Sequence, residues 1–125
     1  MIVGIGVDLV DLRRMERVLR VEPWQSKQDV FTAREIAGSC TGRRRAVRLS
    51  ACFAAKEAAL KALGAKVEDL GMFREVELLH GPGGKQTIVL HSRAQSQAKE
   101  LGVAHIWVSI ASAKETAGAF VVMES

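Results

Sequence analysis

Asp8 stands between Val7 and Leu9, a carboxylate set among apolar residues. A charge in such surroundings is expensive unless it is paired, hydrogen-bonded or bound to a metal. A helix N-cap or a satisfied structural carboxylate would also meet that demand. A second group of chemistry-bearing residues lies in Phe53-Ala-Ala-Lys-Glu-Ala-Ala-Leu-Lys-Ala-Leu-Gly64. There Glu57 precedes Lys61 by one helical turn, and Lys56 and Glu57 follow Phe53 by about a turn, so the charges are expected on one face of an otherwise apolar rod. The plain alternative is a surface Glu-to-Lys pair worth a few tenths of a kcal/mol. Arg43-Arg44-Arg45 form a third group. Arginines at a helix start oppose the macrodipole, so another benefit is expected, and bidentate recognition of a phosphate-bearing ligand would supply it. An exposed basic loop is the other reading.

The elements that must position these groups follow from pattern. The apolar run Ile2 to Val7, interrupted by Gly4 and Gly6, predicts a short buried strand ending at Asp8, with glycines that admit another backbone or a ligand. Asp11 to Arg20 has helical periodicity, with Leu12, Met15, Val18 and Leu19 on one side. Arg13, Arg14, Arg17 and Arg20 remain as a basic ridge, either a solvated face or a docking surface for an acidic partner. Pro23 and Trp24 end that helix. Thr32-Ala33-Arg34-Glu35 is a capping box opening a short helix, with Phe31 placed as a hydrophobic staple. Arg43 to Arg45 lead into a long helix, and the strong helix formers of the 53–63 stretch carry it to Gly64, where a left-handed cap is needed.

The second half reads as scaffold. Arg74 to Leu79 alternates like a half-buried strand, Gly81-Pro82-Gly83-Gly84 is a turn, and Gln86 to His91 returns as a hairpin strand. Arg93 to Leu101 predicts a helix stopped by Gly102, and two strands follow, His105–Ile110 and Ala117–Val122. The pattern predicts an α+β domain, one long helix packed on antiparallel strands, spanning 1–125 without a linker or repeat.

Composition narrows the partners. The 125 residues are 48% hydrophobic and carry a net charge of +4, which suits one modest core and an acidic partner. Tyrosine is absent and the few aromatics are not interleaved with basic residues, so nucleic acid is disfavoured. No apolar run approaches a membrane span. Cys40 and Cys52 lack metal-ligand spacing and, without a signal peptide, are expected as reduced thiols in the cytoplasm.

Gly4-Ile5-Gly6-Val7-Asp8-Leu9-Val10, together with Phe53-Ala54-Ala55-Lys56-Glu57-Ala58, Lys61-Ala62 and Gly64, resembles the holo-[acyl-carrier-protein] synthase family of 4'-phosphopantetheinyl transferases. Both motifs fall in the family's order and separation, and the likeness covers essentially the whole chain. It implies transfer of 4'-phosphopantetheine from coenzyme A to a serine of an acidic apo acyl carrier protein, with release of 3',5'-ADP. It also implies magnesium held by Asp8 and Glu57, with phosphate oxygens and water completing a hard oxygen shell. Lys61 would set a cation beside the same phosphates. Arg43, Arg44, Arg45, Gly64 and Lys85 are the further residues expected to hold coenzyme A. The basic ridge of Arg13, Arg14, Arg17 and Arg20 would meet the carrier's acidic helix, raising the on-rate and weakening with salt. The family's homotrimer places active sites between subunits. No residue stands out as general base, and water oriented by a carboxylate is the favoured reading.

Three positions depart from the family. Its Ser-Leu-Ser-His run is Ser109-Ile110-Ala111-Ser112 here, its Arg before Phe-Ala-Ala-Lys-Glu is Cys52, and its Pro after the hairpin Gly-Lys is Gln86. The family places all three around the nucleotide, so altered affinity for the adenosine end is expected more than altered metal chemistry. His80, His91 and His105 do not match the missing histidine and are expected as surface or strand residues. The rival reading is a non-catalytic module that binds coenzyme A or a nucleotide.

Overall fold

The computed structural model describes residues 1–21, 24–67 and 69–125, with the backbone alone at 24–26. In chain order these form β1 (Ile2–Asp11), α1 (Leu12–Val21), α2 (Trp24–Val30), α3 (Ala33–Ala37), α4 (Gly42–Ala62) and α5 (Gly71–Arg74). The hairpin β2 (Val76–His80) and β3 (Gln86–Leu90), then α6 (Ser92–Glu100), β4 (His105–Ser112) and β5 (Thr116–Glu124), complete the chain. β1, β5 and β4 make an antiparallel sheet in that order, and β2 and β3 pair separately. One apolar core joins α4 to both sheets. The architecture is α+β, as the pattern predicts.

Local chemistry explains the element ends. Thr32 and Glu35 close the expected capping box reciprocally, with Thr32 N donating to Glu35 Oε1 at 2.9 Å and Glu35 N to Thr32 Oγ1 at 3.2 Å. Gly64 follows the cap of α4 with φ +63°, a conformation that carries a penalty for residues with a Cβ. The expected stop at Pro23 lies outside the described residues. α2 was not legible in the sequence pattern.

Four expectations need correction. β1 runs on to Asp11, so Asp8 lies inside a strand, and the capping role at α1 falls to Asp11, whose Oδ1 accepts from Arg13 N at 2.9 Å. β1 is also not buried on both faces: Val7 is 57% exposed and Ile5 and Leu9 are exposed with it. Arg74 ends a helical turn, and the strand beginning at Val76 buries Glu77 instead of turning it to solvent. Finally, the charges of α4 do not share a face. Lys56 points into the core, fully buried, while Glu57 and Lys61 face the other way toward β1.

The buried ammonium of Lys56 is fully provided for. It donates to Phe73 O at 3.0 Å and Val76 O at 2.5 Å and pairs with Glu35 Oε1 at 2.7 Å, which uses its three hydrogens. Glu35 Oε2 in turn accepts from Leu78 N at 2.9 Å. Burial pulls Lys56 below the usual lysine range, and the Glu35 carboxylate acts against that pull. The pair therefore ties α4 to α3, to the 73–76 segment and to β2, and each partner is a liability without the other. Lys56→Met should cost about 3–5 kcal/mol of stability in urea unfolding by stranding Glu35. Lys56→Met with Glu35→Gln, which keeps the acceptor for the cap while removing the charge, should recover part of that loss. A single variant as stable as the parent would disprove the coupling.

Candidate active site

The site begins with two hydrogens where other residues have side chains. A Cβ on Gly4 would lie 2.0 Å from Ala62 O, and one on Gly6 would lie 1.7 Å from Ala58 O. β1 therefore runs antiparallel to α4 in backbone contact. Two residues of strand advance about 6.6 Å and four residues of helix about 6 Å, so strand and helix stay matched over successive steps. The next step along the strand is Asp8, on the face toward α4. Ala58 and Ala62 stand on the helix side of the contact, and Ala54, Ala55 and Ala59 of the same helix are buried with them. Two motifs separated by some fifty residues are thereby brought side by side.

Asp8, Glu57 and Lys61 meet there. Lys61 Nζ lies 2.9 Å from Asp8 Oδ1 and donates to Val7 O at 3.2 Å. The Asp8 side chain is 12% exposed and that of Lys61 is 56% exposed. The Asp8 bond and charge hold the Lys61 ammonium above its usual range. Burial, a hydrogen bond shared with Asp8 and the Asp8 charge together push the Glu57 carboxyl up to about 7, against the opposing charges of Lys61 and Arg14. Two carboxylates this close favour a proton or a cation between them.

They open on a cleft of about 640 Å³ between β1, α1, α2 and α4. Asp8, Asp11, Glu57, Arg14 and Lys27 contribute its polar lining, and Met15, Val18, Leu19, Phe31 and Phe53 are among its apolar walls. Lys27, whose Nζ donates to Leu19 O at 2.6 Å, had no signal in the sequence beyond being a charge in a weakly patterned stretch. The donor set fits magnesium: hard carboxylate oxygens from two residues, with room beside them for water and phosphate. Among the described residues no third His, Cys, Asp or Glu joins them in a metal-binding group.

The other expected site residues are placed apart. Arg13 pairs with Glu115 at 2.5 Å, whereas Arg17 and Arg20 are exposed on α1. Arg43 lies 3.6 Å from Glu16 and donates to Lys114 O at 3.1 Å, and Arg45 Nε donates to Ser39 Oγ at 3.1 Å. Arg44 shares a shallow depression with Arg43, Val47 and Arg48. Lys85 is exposed at the hairpin turn and Gly64 at the end of α4. None of Arg43, Arg44, Arg45, Gly64 and Lys85 lines the cleft of its own chain. Of the departing positions, Ser112 is exposed and Gln86 half-buried, but Cys52 is turned into the core beside Glu35, where burial pushes its thiol up to about 12. His80 and His105 are exposed strand residues, and His91 lies 3.1 Å from the buried Glu77.

The family model described as the 4'-phosphopantetheinyl transferase superfamily matches residues 4–121. Holo-[acyl-carrier-protein] synthase of Moorella thermoacetica is 36% identical over 120 residues, covering 96% of this chain and 92% of that protein. The solved holo-[acyl-carrier-protein] synthase of Neisseria meningitidis is similar with a TM-score of 0.86 at 30% identity, covering 100% of both chains. That of Bacillus anthracis, solved in complex with CoA (3',5'-ADP), has a TM-score of 0.80 at 31% identity, covering 100% of this chain and 98% of that one.

Glu57 provides a test of the geometry. Its carboxyl is raised from 4.5 to about 7, so the folded chain binds more protons than the unfolded chain across that window. The Glu57 contribution to stability therefore falls as pH rises from 4.5 to 7. Carboxyl-detected NMR of the metal-free protein should find a Glu57 midpoint near 7, lowered by Asp8→Asn, which removes the like charge and leaves burial in place. An ordinary midpoint in the parent chain would show that the two carboxylates do not interact.

Proposed function

The chain belongs to the 4'-phosphopantetheinyl transferase superfamily, and from that premise we infer that it has holo-[acyl-carrier-protein] synthase activity. It transfers 4'-phosphopantetheine from coenzyme A to a serine of an apo acyl carrier protein, releasing 3',5'-ADP. The observation that carries this reading is the meeting of Asp8, Glu57 and Lys61 at one end of an apolar cleft. A module that only bound coenzyme A would have no need to hold two carboxylates against each other.

In the transfer, the serine oxygen bonds to the β-phosphorus, the bond from that phosphorus to the bridging oxygen breaks, and 3',5'-ADP leaves with the electron pair. Asp8 and Glu57 would hold magnesium, which when bound would supply neutralising charge to the dividing diphosphate. Lys61 sets an ammonium beside the same phosphates, where it favours the charge that develops on the leaving group. Water oriented by one of the two carboxylates accepts the serine proton. Arg13, Arg14, Arg17 and Arg20 receive the acidic carrier. Arg14 lies both on that ridge and in the cleft wall, so docking delivers the serine next to the carboxylates.

The active unit is a homotrimer of single domains, each spanning residues 1–125, working in the cytoplasm. The support is an apolar row across the open face of the sheet, where Ile5, Val122 and Trp107 stand in register and Phe120 lies opposite Val7. Trp107 is 55% exposed in the single chain. A continuous apolar face of this kind marks an interaction surface. Association would also bring the Arg43 to Arg45 segment of one subunit to the cleft of another, where it holds coenzyme A together with Gly64 and Lys85.

The direct assay is mass spectrometry of an apo carrier after incubation with the protein, coenzyme A and magnesium, with a chelator control. The carrier should gain one phosphopantetheine, and the gain should vanish with chelator. Asp8→Ala and Glu57→Ala should each lower the rate by at least about a hundredfold, the scale of losing a charge-stabilising group. Near-parental turnover in either variant would refute the assignment of the pair. Reversing Arg14 and Arg17 to Glu should raise the KM for the carrier at least about tenfold, since rim charges act on encounter, and weaken coenzyme A binding far less. Equal loss of both would refute the docking surface. Ile5→Glu should yield monomers in sedimentation velocity, and an unchanged assembly would place the interface elsewhere.

A further inference from the structure

Lys61 has two partners, Asp8 Oδ1 and Val7 O, both on β1. Its side chain is more than half exposed, on a flexible four-carbon stem. It neutralises the same carboxylate that, on the reading above, holds magnesium. A second carboxyl, Glu57, lies close enough for the Asp8 charge to act on it, so Asp8 faces both a cation and a like charge.

We propose that Lys61 is the resident counter-ion of Asp8 and is exchanged for the divalent cation when the site loads. The inference rests on the assignment of Asp8 and Glu57 as the metal-holding pair, and it adds a coupling between metal and donor. Loading the cation breaks the bond from Lys61 to Asp8. The released ammonium keeps Val7 O and regains an anionic partner when the diphosphate of coenzyme A arrives. Metal and coenzyme A therefore bind cooperatively, and by linkage each tightens the other by the same factor. A lysine that kept its bond to Asp8 throughout would repel the metal equally with and without coenzyme A, and would contribute nothing to that coupling.

The test measures Mn²⁺ binding to the full-length protein by electron paramagnetic resonance, with and without coenzyme A and with no carrier present. Lys61→Met should bind Mn²⁺ about two- to fivefold more tightly than the parent when coenzyme A is absent, the range expected for losing one exposed ion pair. The enhancement of Mn²⁺ binding by coenzyme A should shrink by at least the same factor. A second readout uses the parent protein alone: the ¹⁵Nζ ammonium signal of Lys61 should lose its coupling to Asp8 as Mg²⁺ is added. A signal that keeps that coupling in the loaded protein would overturn the exchange while leaving the metal assignment standing. So would a Lys61→Met variant with parental affinity and parental coupling. If the parent bound no Mn²⁺ with or without coenzyme A, the assignment of Asp8 and Glu57 would fall, and this inference with it.

Discussion

Everything at the site depends on how closely β1 lies against α4. The carbonyls of Ala58 and Ala62 occupy the space that a methyl group at residue 6 or 4 would need. This contact is between main chains, so it fixes the separation of strand and helix more tightly than interdigitating side chains would. Asp8 inherits its place from that separation. A helix set further out by even one side chain would leave Asp8 and Glu57 as two unrelated surface acids.

Rotation of the helix about its own axis is settled by a different force. Lys56 and Glu57 are adjacent in sequence, and the helix turns them about 100° apart. Lys56 is fixed inward by Glu35 and two carbonyls, so Glu57 is fixed outward toward β1. The buried ion pair thus orients the Glu57 carboxyl without touching it. An apolar residue at position 56 would bury at lower desolvation cost, but it would not select one rotation over its neighbours.

What was legible in the sequence was what local chemistry decides. Thr32 with Glu35, Gly64 after a run of strong helix formers, and the Gly81 to Gly84 turn each announce themselves within a few residues, and the structure keeps them. Partners distant in the chain were not legible from residues alone. Glu35 already has a complete local role in its capping box, so nothing in the sequence marks it as the acceptor for a lysine on another helix. The link between Asp8 and Glu57 came from likeness to a family, since pattern alone left Asp8 open as a cap or a structural acid. The open face of β1 was misread for a physical reason: an apolar run signals burial, and sequence does not say whether the cover comes from the same chain. The family likeness puts Cys52 near the nucleotide, yet the helix turns it into the core.

The cleft wall on α1 is built differently from the opposite wall. Met15, Val18 and Leu19 reach the cleft through side chains on a short helix, while the carboxylates are set by backbone contact between β1 and α4. Substitution at 15, 18 or 19 alters the shape offered to a partner and leaves the strand-to-helix spacing unchanged. The two walls are thus separately evolvable. A lineage can retune the shape of that wall by drifting along α1, with the placement of Asp8 beside Glu57 insulated from the change.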